Sequence, residues 1–168
     1  MKINSWESLP FQKYVELNKI KTDDDFQKLI EMVAVLNDLS INEVKEMKAK
    51  NFQSFTEDIT FLSQKPDFSK SNFNWSFKQL EDLTTDEFIS YEKLKNDVDS
   101  MSYIISMMTG IKEEKVNQLP TTDVLYAFFL LQRELVKFIN YSAKSLLQRT
   151  VKEKIRKIFS LQFFKNKR

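Results

Sequence analysis

The chain has 168 residues, of which 42% are hydrophobic, 30% charged and 13% aromatic, and its formal net charge is +2. That length suits one substantial core, or two small halves sharing one, and a single glycine with three prolines leaves too few turn signals for many short strands. Cysteine and histidine are both absent, which excludes disulfides, thiolate chemistry, zinc sites built on sulfur or imidazole, and the Ser-His and Cys-His nucleophile arrangements.

The opening MKINSWESLPFQK has no apolar segment of the kind a secretory signal needs, and the longest wholly apolar run, LYAFFLL at 125–131, is too short to span a bilayer. A soluble, mainly α-helical, non-enzymatic chain without cofactors is expected. In chain order, apolar periodicity predicts helices over 9–20, 23–37, 41–48 and 51–63. Asp23, Asp24 and Asp25 open the second of these, where a first helical turn favours negative charge. Consecutive helical residues point in different directions, so capping is expected of them rather than metal binding. Ser40-x-x-Glu43 forms a capping box before the third helix.

The stretch KPDFSKSNFNWSF, 65–77, alternates Phe73, Trp75 and Phe77 with Asn72, Asn74 and Ser76, which is the period of a strand. It reads as an extended crossover or short β-hairpin, or as an ordered aromatic loop. Helices are then predicted over 84–96, 97–109, 112–118 and 121–140, with a second capping box at Thr84-x-x-Glu87. Phe52, Phe55, Phe128 and Phe129 lie on helical stripes and are assigned to the core.

AVLNDLSINEVKEMKAKN, 34–51, lies over SMMTGIKEEKVNQLPTTD, 106–123, when the two are set 72 positions apart. Val35 then falls on Met107, Leu36 on Met108, Leu39 on Ile111, Val44 on Val116 and Met47 on Leu119. At an offset of 74, Leu9 falls on Leu83, Tyr14 on Phe88 and Val15 on Ile89. This predicts two similar helical halves by internal duplication, 1–64 and 81–140, joined by the aromatic linker 65–80. Gly110, the lone glycine, falls where the second helix of a half must close with a left-handed residue.

Residues 141–168 form a separate basic tail, with nine basic residues against Glu153 alone, a net +8, while the 140 residues before it carry −6. Leu147, Val151, Ile155 and Ile158 recur at helical spacing, with Phe159 and Phe163 following, so a basic amphipathic helix is expected. Arg149, Lys152, Ile155, Arg156, Lys157, Ile158, Phe159 and Phe163 are its candidate partner-binding residues. An acidic protein surface, the chain's own acidic body, nucleic acid and an anionic membrane are the four surfaces such a helix suits.

Taken together, SWESLPFQKYVEL, AVLNDLSINEVKEM, FTEDITFL, LTTDEFISY and LPTTDVLYAFFLL, spread over about residues 5–135, resemble the small helical tail assembly chaperones and related virion-assembly proteins of bacteriophages. In that group the linker resembles a hairpin around a glycine-containing turn, whereas SNFNWSF has no glycine. The resemblance implies a protein that holds a hydrophobic virion component during assembly in the host cytoplasm, with other phage structural or tail proteins as partners. It also admits an internal structural or cargo protein within the virion, and the tail admits nucleic-acid binding.

A chain ending at Tyr141 is expected to stay folded but to lose its partner. Charge reversal at Arg149, Lys152, Arg156 and Lys157 should slow association, because exposed charges steer encounter. A DNA-binding tail would instead give an affinity for random duplex DNA that falls with salt at a log–log slope of about −0.9 per phosphate neutralised, and fluorescence titration at several salt concentrations separates the two.

Overall fold

The computed structural model describes residues 2–141. The chain divides into two compact units, one reaching to Phe129 and the other starting at Leu130. The described residues are mainly α-helical, and no strand forms among them.

The first half contains α1 (Phe11–Asn18), α2 (Asp25–Asn37), α3 (Ile41–Glu46) and α4 (Ala49–Asp58), the last continuing as a 3₁₀ turn over Ile59–Ser63. After the linker come α5 (Thr85–Leu94), a 3₁₀ turn Val98–Ser100, α6 (Met101–Thr109), α7 (Glu113–Gln118) and α8, which occupies 121–141. The second unit's described residues continue α8 from Leu130, with Leu131 and Leu135 buried and Val136, Ile139 and Tyr141 exposed.

Helix ends fall where side chains satisfy free backbone groups. Asp24 caps α2 by accepting from the Gln27 N–H at 2.6 Å. Both capping boxes form, Ser40 with Glu43 and Thr84 with Glu87. The Ser40 N–H and then its hydroxyl hold the Glu43 carboxyl below the usual carboxylate range, and Glu87 is held low first by Lys78 and then by the Thr84 N–H. Because these carboxyl pKa values are depressed on folding, the caps contribute fully above the ordinary glutamate range and weaken as pH falls below it.

The first half packs Leu9, Ile30, Val33, Ala34, Leu36, Val44, Ile59 and Phe61 into one cluster. Trp6 meets Phe61 and Tyr14 edge-on, with centroids 5.6 and 6.0 Å away, and donates from its indole N–H to the Gln64 carbonyl at 3.0 Å. In the second half Ile104, Ile105, Met108, Val116, Val124 and Ala127 are fully buried.

Helix α1 is shared between the halves. It packs on α2, on α7 and on the Val98–Ser100 turn, and Lys13 Nζ reaches the C-terminal end of α2, at 2.5 Å from the Val35 carbonyl and 2.6 Å from Asp38. Its first residues form an antiparallel bridge with the start of α8. Pro10 faces Pro120, the Phe11 N–H donates to the Leu119 carbonyl at 2.9 Å, and the Thr121 N–H donates to the Leu9 carbonyl at 2.8 Å.

No hairpin forms in the linker, which corrects one of the three forms expected for it. Residues 71–78 alternate between half-buried and exposed, so the strand period is present without a ladder. Their backbone finds other partners: Asn72 N–H and Ser71 Oγ both donate to Asp123 Oδ1 at 2.8 Å, and Lys78 N–H donates to the Met108 carbonyl at 2.7 Å. Phe73 packs against Trp75, Phe77 and Tyr126, with centroids 4.9, 5.4 and 6.1 Å apart. A two-stranded hairpin with no glycine turn and no third strand gains less than this.

At the 72-residue spacing several features coincide. α3 and α7 have matching bounds, α4 and α8 start in register, and the positive-φ residues Asp38 (55°) and Gly110 (74°) fall on one another. Leu36 and Met108, and Val44 and Val116, are buried in both halves. A Cβ added at Gly110 would meet nothing within 4 Å, so a substitution there pays only for backbone conformation. Gly110→Val is expected to cost about 1–2 kcal/mol and Gly110→Asn less, since Asn tolerates the left-handed region; equal denaturant midpoints for the two variants would contradict this.

Candidate protein-docking site

The matched register makes differences in burial informative. Thr121, Thr122 and Asp123, in the first turn of α8, are buried, whereas Ala49, Lys50 and Asn51, at the same place in α4, are all exposed. The covering groups are those just described: Leu9, Pro10 and Phe11 lie across Leu119–Thr121, and Ser71 and Asn72 close over Asp123. Thr121 Oγ1 adds a bond of 2.8 Å to the Leu9 carbonyl. Nothing among the described residues does the same for α4, and no described protein group bonds the Met47 carbonyl or the Ala49 N–H.

Beside that open turn lies a hollow of about 240 Å³ lined by Phe26, Ile30, Val44, Lys45, Met47, Ala49 and Phe52. Ile30 and Val44 form a buried apolar floor. Phe26 stands on the rim, 64% exposed, with its ring centroid 5.8 Å from that of Phe52. An aromatic side chain left this far in water beside an apolar floor forgoes part of its burial energy unless something covers it. Lys45 lines the hollow and Lys48 and Lys50 flank Ala49 in the chain, all three exposed and without an ion pair among the described residues.

A larger hollow, about 420 Å³, runs beside the C-terminal end of α2 and carries Glu16, Glu31 and Asp38 on its walls. Those carboxylates already accept from Gln12, Gln27 and Lys13 within the chain. Its acidic groups are thus partly engaged within the chain, and no aromatic residue stands among those that line it.

The eight partner-binding residues expected in the tail, from Arg149 to Phe163, lie outside the described residues, as does the expected tail helix. The structure does place the aromatic residues assigned to the core. Phe128 is buried and Phe52 and Phe55 are half-buried, but Phe129 is 52% exposed; it follows Phe128 directly on α8, and adjacent helical residues cannot face the same way. Of the three aspartates Asp24 caps α2 and Asp25 lies in its first turn, while Asp23 precedes the cap; among the described residues no group of three potential ligands is placed to hold a metal ion. No described helix is long and apolar enough to cross a membrane.

The Phe26 hollow is not legible from periodicity. Phe26 lies four positions before Ile30 on the core stripe, so its sequence context predicts burial; the signal that separates it is the lysine triplet Lys45, Lys48 and Lys50 on the next corner. No family model, no curated protein and no solved structure matches the chain.

The contrast between the two corners is measurable at Asp123. Asp123→Ala leaves the Asn72 N–H and the Ser71 hydroxyl without their acceptor, and a loss of about 1–3 kcal/mol is expected. Asp123→Asn, which keeps one acceptor oxygen, should lose less. Asn51→Ala, at the matching place in α4, should be nearly neutral, and chemical denaturation of the three variants checks the order.

Proposed function

We propose that the chain is a non-enzymatic protein-binding factor of bacteriophage assembly that shields an apolar segment of another virion protein. The observation that carries this reading is the exposed Phe26 above an apolar floor, with Lys45 in the lining and Lys48 and Lys50 on either side of Ala49 in the chain. Such a surface suits a polypeptide better than a small polar substrate, because its recognition elements are apolar area and exposed charge rather than converging polar groups. The resemblance of SWESLPFQKYVEL, AVLNDLSINEVKEM and LPTTDVLYAFFLL to tail assembly chaperones supports the same reading and supplies the setting, the host cytoplasm during assembly.

Two finer parts belong to the proposal. The halves 1–64 and 81–140 derive from one duplicated unit, supported by the 72-residue coincidence of helix ends, positive-φ residues and buried positions. The basic tail adds a second contact through Arg149, Lys152, Arg156 and Lys157 flanking Ile155, Ile158, Phe159 and Phe163. Its net +8 also favours the alternative in which the tail faces nucleic acid.

Full-length tagged protein, produced together with the virion proteins, is expected to co-purify with one of them and to raise that protein's soluble fraction. Phe26→Asp, at an exposed position, should leave the fold intact by circular dichroism while reducing both effects several-fold. Equal recovery and equal solubility with wild type and Phe26→Asp would overturn the reading, as would the absence of any virion protein in the purified material.

A further inference from the structure

We infer that the corner formed by Met47–Ala49 and the Phe26 hollow is a receptor for a helix start of another protein, one opening with an apolar residue, a proline and an aromatic residue. The inference rests on the protein-binding reading above and specifies its mode. The chain contains a filled version of the same arrangement. At the start of α8, the Leu119 carbonyl accepts from the Phe11 N–H and the Thr121 N–H donates to the Leu9 carbonyl, while α1 covers α7 and the Val98–Ser100 turn. Phe11 is fully buried there.

Seventy-two residues earlier the corresponding groups are present and unused. Met47 stands for Leu119, Ala49 for Thr121, α3 for α7 and Phe26 for Val98. The acceptor and donor of a bridge are available at the Met47 carbonyl and the Ala49 N–H. The hollow into which an aromatic residue would fit is lined by residues of the matching elements, Phe26, Val44 and Met47 among them. Lys48, the N-cap of α4, has φ −63° and ψ 138°, close to the −61° and 142° of Pro10 at the start of α1, so its backbone is already extended as a bridge requires.

Among the described residues the chain's own helix starts are poor occupants. Leu9, Pro10 and Phe11 are engaged in the α8 bridge, and the equivalent start of α5, Leu83-Thr84-Thr85, has a threonine where Phe11 stands and a Thr84 hydroxyl committed to its own helix. Charge points outward as well. Beside the bridge groups in the chain stand Lys45, Lys48 and Lys50 against Glu46, while Asp23, Asp24 and Asp25 precede Phe26, so acidic residues after the aromatic suit the Met47–Ala49 side of the corner. α1 instead carries Lys13 in its first turn, and uses it on Asp38. Acidic residues in a first helical turn are favourable in their own right, so one sequence pattern suits both the partner's helix and this surface.

The probe is a fluorescein-labelled peptide that opens Leu-Pro-Phe-Glu-Glu and continues as an alanine-rich helix, titrated by anisotropy against the full-length protein. Saturable binding is expected, weakened about tenfold by Ala49→Pro. That substitution removes the N–H donor at the first position of α4, where proline is well tolerated, after a residue already in the conformation proline demands; the thermal midpoint should therefore not fall. Phe26→Ala, and alanine in place of the peptide's phenylalanine, should each weaken binding comparably, and Lys45→Glu with Lys48→Glu should lower the association rate. Absence of saturable binding, or equal affinity in wild type and Ala49→Pro, overturns the inference. A dimer formed without peptide and abolished by Ala49→Pro would assign the site to a second copy and overturn the foreign occupant. If a virion protein co-purifies equally with wild type and Ala49→Pro but is lost with Phe26→Asp, the bridge fails while the protein-binding reading stands.

Discussion

The fold turns on two hydrogen bonds between residues at opposite ends of the first unit. A helix leaves its first N–H groups without intrahelical acceptors, and α1 and α8 solve this for one another: Phe11 donates to the carbonyl before Pro120, and Thr121 to the carbonyl before Pro10. The prolines sit opposite each other as the non-hydrogen-bonded pair of an antiparallel bridge, a place in the ladder where a missing N–H costs nothing. Each proline also fixes the extended backbone that precedes its helix. Burial of Leu9, Phe11, Thr121 and Val124 around these bonds excludes competing water and raises the cost of leaving either group unpaired.

That bridge makes α1 a shared element. The face bearing Leu9 and Tyr14 joins the first-half cluster, while Phe11 leads the helix onto α7 and the Val98–Ser100 turn. Lys13 adds a tie back to α2, supplying a cation at a helix C-terminus where carbonyls lack donors. The arrangement is one-sided, since α5 makes no corresponding reach across to α3. The asymmetry leaves one corner finished and the other open, and the candidate docking site is the open one.

Much of the helical layout was legible in the sequence because its signals are local. The Ser40 and Thr84 capping boxes, Asp24 before α2 and Gly110 after α6 are each decided within four or five residues of chain, and the helices end within a few residues of where those signals put them. The linker was half legible: its alternation predicts the burial pattern of Phe73, Trp75 and Phe77, but not whether the backbone pairs with itself or, as found, with Asp123 and Met108. The bridge was not legible, although both of its arms carry a Leu-Pro dipeptide, because pairing at long separation imposes no periodicity. The docking hollow was hidden for a related reason. Phe26 has a core residue's spacing, and only the absence of an overlying helix leaves it exposed.

The distance between the arms of the bridge, 112 residues from Leu9 to Thr121, has a consequence for how the molecule assembles. Closing so long a loop costs more chain entropy than the neighbouring pairings of α2 with α3 or α6 with α7, and contacts remote in sequence slow folding. On the ribosome, at about 5–20 residues per second, roughly 5–20 s separate the emergence of Phe11 from that of its acceptor. α1 can therefore complete its seat only after residues 119–121 emerge, and through that interval Phe11 has Tyr14, its ring 5.8 Å away, and the neighbouring α2 as early company, but not the backbone partners that finally hold it.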